Sequence, residues 1–228
     1  MLYYGSDPFF ILIIITLGLS LLAQWKVQST YNHFAKVAAG RGLPAEEVAR
    51  QILSHYGVNI PINQIGGNLT DHYDPRRKTL ALSQGVYGSR SIAAYGIAAH
   101  EAGHAIQHAL GYSPLRFRNW FYPAAAFGSN LGPWLFIIGL FMGLPYLTDA
   151  GIIFFAFAVI FSMVTLPVEF NASGRAIAAL RSNAYLSSQE LQGAQKVLSA
   201  AALTYVAATL MAVLQFARLL FLRNERRR

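Results

Sequence analysis

The chain has 228 residues, of which 54% are apolar and 12% charged, about half the soluble norm of roughly 25%, so an integral membrane protein with a modest polar portion is predicted. It has no cysteine, which excludes disulfides and thiolate metal ligands and leaves His and carboxylates to hold any metal. The net charge of +8 gathers after the first apolar stretch and at the C-terminus, a pattern of membrane topology and lipid contact; no nucleic-acid module is present, which excludes nucleic acid as a partner.

The first apolar stretch runs from Phe9 to Trp25. No basic residue precedes it and no small-residue cleavage site follows it, so residues 1–25 read as an uncleaved membrane anchor. Residues 26–120 read as a small cytoplasmic α+β domain. Ala35–Ala39 continues the helix leaving the anchor. Leu43–Leu53 is an amphipathic helix, with Pro44 and an acidic first turn marking its start. Val58–Ile65 is a short strand. Tyr73–Lys78 is a turn punctuated by Asp74-Pro75. Thr79–Ser83 alternates like a strand. An edge strand can pair with an extended peptide through its main chain, and Thr79–Ser83 is the candidate for that role here, weighed against a plain structural hairpin strand.

Ser91 then caps a helix that carries His100-Glu101-Ala102-Gly103-His104. Residues four apart share a helix face, so the two imidazoles can grip one zinc ion. Glu101 between them can reach the attacking water as general base. Small residues flank both histidines and leave room for a second backbone or a ligand. Gly103 is otherwise a poor choice in mid-helix, costing roughly 1 kcal/mol against Ala. His108 continues the four-residue spacing but lies about 12 Å along the axis from His100, too far to share the ion.

Two further spans follow within residues 121–168. The first lies within Phe121–Leu147 and is interrupted by Asn130, Gly132 and Pro133; the second runs from Ala150 to Val168. Thr148-Asp149 reads as the tight turn of a helical hairpin. Residues 169–196 form the segment that supplies a third ligand, and Glu169 at its start is the best candidate. The other carboxylates fit a helix start, a turn, the far side of the membrane or the basic tail; His72 is an alternative ligand in a loop. Arg175, six residues after Glu169, is the candidate for stabilising a tetrahedral oxyanion, or else a topology-setting charge. Residues 197–228 hold a last apolar helix and the basic tail.

The segment 26–118 holds ten Lys and Arg, the segment 169–196 three, and the hairpin turn none. The positive-inside rule places both basic segments in the cytoplasm and the N-terminus outside. The tail Arg223–Arg228 breaks that rule if the last helix crosses fully, so either the earlier loops dominate or that helix stops short.

Leu69–Pro75, Ala99–Gln107 and Pro167–Ser173, together with the N-terminal anchor, resemble the YugP-like membrane zinc metallopeptidases over nearly the whole length. The resemblance implies a zincin-like domain of gluzincin type, with zinc on His100, His104 and Glu169 and with Glu101 as base. A more distant similarity joins HtpX-like and CAAX-processing proteases, whose metal Glu is followed four residues later by Asp. Ser173 stands there in this chain, so Asn171 or Ser173 takes over the orientation of a metal imidazole.

The expected fold is therefore mainly α, with about four apolar helices and a small domain holding a short sheet. The expected function is a multi-pass zinc endopeptidase whose substrates are membrane-associated or misfolded proteins. A noncatalytic zinc-binding scaffold is the rival, and the intact Glu101 argues against it. A metal transporter would need ionisable residues inside the spans, and the hairpin has only Asp149 at its turn.

Overall fold

The computed structural model of the protein describes residues 8–225. Its elements in chain order are α1 (Pro8–Phe34), α2 (Ala45–His55), β1 (Ile62–Ile65), β2 (His72–Asp74), β3 (Thr79–Ser83), α3 (Ile92–Ala109), α4 (Ser113–Met142), α5 (Pro145–Ser182) and α6 (Ser188–Glu225). Four of them, α1, α4, α5 and α6, are long and apolar enough to cross a membrane, and the expected mainly helical class with a small sheet is the class observed.

Two compact units are formed. The first comprises residues 8–23, 117–166 and 204–225. Its helices turn large apolar side chains outward: Leu22 is 61% exposed and Phe141 76%, surface that hydrocarbon satisfies and water does not. Glycines let α4 and α5 meet backbone to backbone. A Cβ on Gly132 would lie 2.8 Å from the Phe155 nitrogen, and one on Gly151 would lie 2.7 Å from the Gly132 carbonyl. Small residues drive membrane helix packing in this way, because lipid tails are as apolar as leucine.

The hairpin turn lies earlier than expected. Gly143 adopts the left-handed conformation that ends α4, Leu144 follows, and Pro145 opens α5, so Thr148 and Asp149 belong to the first turns of a helix. Asn130 and Pro133 do not end α4, which runs on to Met142. The last helix runs on to Glu225 beside α5: Thr209 donates to the Ser162 carbonyl at 3.2 Å, and Arg223 meets Asp149 at 2.5 Å. α6 therefore accompanies α5 back to its first turns.

The second unit comprises residues 24–116 and 167–203. Ala45, Val48, Ala49, Ile52 and Leu53 recur at helical spacing and bury one face of α2. They share a core with Leu80 and Leu82 of β3, Tyr95, Ala98 and Ile106 of α3, and Ala176 and Leu180 of α5. The helix from the anchor stops at Phe34. Ala35–Val37 form a turn whose amides bond back to Tyr31, His33 and Phe34, and beyond it Ala39 donates to the Arg90 carbonyl at 2.8 Å and Ala38 bridges Ser91, so the chain turns off where a continuing helix was expected. Pairing with the entry to α3 satisfies its backbone in place of another helical turn.

The sheet order is β1-β3-β2, with β1 parallel and β2 antiparallel to β3. Thr79–Ser83 is thus the central strand, not an edge. Leu80 through Ser83 are buried, and both sides of the ladder are already paired, so this strand cannot add an extended substrate. The free edges belong to β1 and β2, and β2 packs against α3.

Ser91 caps α3 by accepting a hydrogen bond from the Ala94 amide at 3.2 Å. α3 and α5 approach backbone to backbone in this unit: a Cβ on Gly103 would lie 2.7 Å from the Ala172 carbonyl oxygen and 3.3 Å from its carbon. Gly103→Ala should therefore lose about 1–3 kcal/mol through overpacking, against the roughly 1 kcal/mol that helix propensity alone would add. Thermal unfolding of the detergent-purified protein, with zinc content measured in parallel, distinguishes the two: a variant as stable as wild type or more so, with full zinc, contradicts the close crossing.

Candidate metal centre

α3 presents His100 and His104 one turn apart, with ring centroids 4.7 Å apart and planes at 87°. The Gly103 crossing brings α5 against them, and one oxygen of Glu169, Oε2, lies 3.3 Å from His100 Nε2 and 3.4 Å from His104 Nε2. All three ligand atoms lie within 4.8 Å of one another. A tetrahedral ion with bonds of about 2.0–2.1 Å separates its ligands by about 3.3–3.4 Å, so the group suits zinc in size as well as in donor chemistry. His104 and Glu169 are buried and His100 keeps 14% of its side chain exposed, which leaves one side of the group open.

The far nitrogens are held as a metal site requires. His104 Nδ1 lies 3.0 Å from Gln107 Oε1. An amide oxygen only accepts, so Nδ1 carries the proton and the Nε2 lone pair is left for a cation. The amide is fixed in that sense because Gln107 Nε2 donates to the Val168 carbonyl at 2.8 Å and to Asn171 Oδ1 at 3.0 Å. Asn171 Oδ1 also accepts from Arg175 Nε at 2.8 Å. His100 Nδ1 meets Ser173 Oγ at 3.1 Å. Ser173 thus touches one imidazole directly, and Asn171 reaches the other through Gln107.

Glu101 is buried beside this group. Burial pushes its carboxyl up to about 7; His100 pulls it down, while Glu169 and Asp71 push it further up. A carboxyl poised there can both accept and return a proton near neutral pH.

The remaining candidates lie elsewhere. His72 is exposed on β2 with Nδ1 2.9 Å from the Thr70 carbonyl, outside the group. His108 bonds the Tyr73 hydroxyl at 2.7 Å and ties α3 to β2. Asp71 accepts from the amide and hydroxyl of Ser83, Glu46 from the Gly88 amide, and Glu190 from the Gly40 amide, so each holds a loop or strand. Arg175 meets the network at Asn171, one helical turn before it. The role of Gln107 was not read from the sequence; its signal is a polar residue three after His104, directly behind Ala105 and Ile106.

A profile of the family described as "Putative neutral zinc metallopeptidase" matches residues 9–224. A curated relative from Bacillus subtilis (strain 168), named "Putative membrane protease YugP", is 46% identical over 211 residues, covering 92% of this chain and 94% of that protein. No solved structure matches the chain. Agreement over nearly the full length, in a protein with four candidate spans and a His-His-Glu group of the right size, shows that this chain belongs to that family of membrane zinc metallopeptidases, with zinc as its cofactor.

Proposed function

We propose that the protein is an endopeptidase that cleaves membrane-associated or misfolded proteins at the cytoplasmic surface of the membrane, with His100, His104 and Glu169 as its zinc ligands. The observation that carries the reading is one Glu169 oxygen 3.3 and 3.4 Å from the Nε2 atoms of His100 and His104, with a buried Glu101 alongside. Zinc, when bound, supplies polarisation of the scissile carbonyl and greater acidity of the attacking water. Glu101 takes the proton from that water and delivers it to the leaving amine. Gln107 and Ser173 hold the two imidazoles in the tautomer and orientation their roles need. Arg175 is tethered through Nε to Asn171, and its terminal nitrogens carry no hydrogen bond among the described residues, so it is the cationic group assigned to the oxyanion.

β2 replaces the central strand as the place where extended substrate adds. It is an edge strand, it packs on α3, and its outer side has no strand partner among the described residues. Main-chain pairing there supplies affinity with little sequence preference, as a substrate range of unfolded segments needs.

Wild type and Glu101→Gln, purified in detergent, should both retain zinc, while cleavage of casein and of a membrane substrate falls by at least about a hundredfold in the variant. Zinc in both with no cleavage by either favours the scaffold, and no zinc in either removes the ligand set. Gln107→Leu should weaken zinc about 10–100-fold in a chelator competition without loss of helix content; unchanged affinity would leave Gln107 a packing residue. The absence of native cysteine allows a clean test of sidedness. In intact cells an impermeant maleimide should label Tyr146→Cys in α5's first turn and spare Lys36→Cys after α1; the reverse pattern places the site outside.

A further inference from the structure

We propose that the groove between the end of α1 and the start of α6 binds the headgroup of an anionic glycerophospholipid. The groove encloses about 820 Å³ and lies wholly within the second unit, away from the zinc ligands. Its size is in the range of small-molecule sites, roughly 300–1,000 Å³, and far exceeds a lone phosphate.

Each wall is one helical face. Lys26, Ser29, Thr30 and His33 recur at three- and four-residue spacing on α1, as do Gln192, Lys196, Ser199 and Leu203 on α6. No Asp or Glu lines the groove. Lys26 and Lys196 are exposed, and neither has a hydrogen bond or an ion pair among the described residues. Two uncompensated ammonium groups facing one cavity call for an anion. The hydroxyls and amides between them can bond phosphate oxygens and headgroup hydroxyls.

The position of the two lysines in the chain identifies the anion. Lys26 directly follows the apolar run Phe9–Trp25, and Lys196 directly precedes the run that begins at Val197. Both charges therefore flank apolar runs of spanning helices, with Lys26 the nearer to the hydrocarbon, in the interfacial zone where lipid headgroups lie. Along α6 the lining changes from Gln192 and Lys196 to Ala200 and then Leu203, which is 42% exposed. Lys196 and Leu203 are about 10 Å apart along the axis. The polar end is closed by Phe34, whose ring lies 2.7 Å from where a Cβ on Gly193 would stand, so the two walls touch there. The Phe34–Gly193 contact sets Lys26 toward the Leu203 end and Lys196 toward the closed end, so a ligand that fits carries its anionic headgroup between the two lysines and its acyl chains out past Leu203.

The test uses full-length protein in nanodiscs and in detergent, with phosphatidylglycerol, phosphatidylcholine, inorganic phosphate and an acidic peptide as probes. Native mass spectrometry and thermal shift are the readouts. Wild type should retain phosphatidylglycerol over phosphatidylcholine and be stabilised by it. Lys26→Gln/Lys196→Gln should lose at least about tenfold of that affinity. Lys36→Gln/Arg76→Gln, which removes the same charge from exposed sites outside the groove, should keep it. Equal loss in both double variants means only diffuse attraction to an anionic surface and overturns the proposal. So does undiminished lipid binding by the groove variant. Stabilisation by inorganic phosphate alone would identify a free-anion site, and binding of the peptide in place of lipid would identify a protein partner; either overturns it.

Discussion

The α3–α5 crossing is the contact on which the rest of the centre depends. At Gly103 there is no room for a methyl group, because the Ala172 carbonyl already occupies it. That closeness has a cost in helix propensity, since glycine in mid-helix frees the chain to adopt other conformations. In return α5 lies near enough for a glutamate three residues before Ala172 to meet imidazoles on both sides of the glycine. A wider crossing, with ordinary side chains between the helices, would leave Glu169 unable to touch either Nε2. Ligand spacing is thus set by backbone contact, which is stiffer than any side-chain rotamer.

The same contact creates an electrostatic problem. Glu169 and Glu101 are both buried, on facing helices, with two imidazoles among them. Two carboxylates removed from water repel each other and lose their hydration. Part of the cost is relieved because burial raises the pKa of Glu101 and so favours its protonated form beside a second carboxylate. A divalent cation bound by the proposed ligands would relieve the remainder, since it attracts every donor in the group at once. Metal binding and tight packing of α3 on α5 are then one free-energy change, as is general for sites whose ligands come from different elements. Gln107 serves both sides of that change: it is fully buried, bonds His104, and spends its amide hydrogens on Val168 and Asn171 of the opposite helix.

The helical part of this arrangement was legible in the sequence because its signals are local. The i, i+4 histidines, the Ser91 cap, the small residues around Gly103 and the four apolar runs each state a period or a composition that one element satisfies alone. Glu169 was legible by a different route, as the one carboxylate that no cap, turn or tail explains. What escaped is non-local. β2 has three residues, too few to show alternation, and only its pairing with β3 makes it a strand. The central place of β3 depends on partners at Ile62–Ile65 and His72–Asp74, and no feature of Thr79–Ser83 itself distinguishes centre from edge. The hairpin turn was misplaced because Thr148-Asp149 is the polar pair in that stretch, whereas the chain turns at Gly143, where positive φ is needed.

α5 also acts as a ruler. Asp149 and Glu169 lie twenty positions apart on one continuous helix, which is about 30 Å at 1.5 Å per residue. That is the thickness of a bilayer's hydrocarbon core, and no charged residue lies between them. Arg223 reaches Asp149, so the last helix measures the same distance in the opposite direction. The ion pair partners Arg223, the first charge of the basic C-terminal stretch, within the fold, and the thirteen Lys and Arg of the two earlier basic segments outnumber the remainder. A carboxylate fixed by helix length at one boundary of the hydrocarbon can serve a metal centre only there. On the proposed reading α5 sets the depth of the chemistry, and a substrate brings its peptide bond to that depth to be cut.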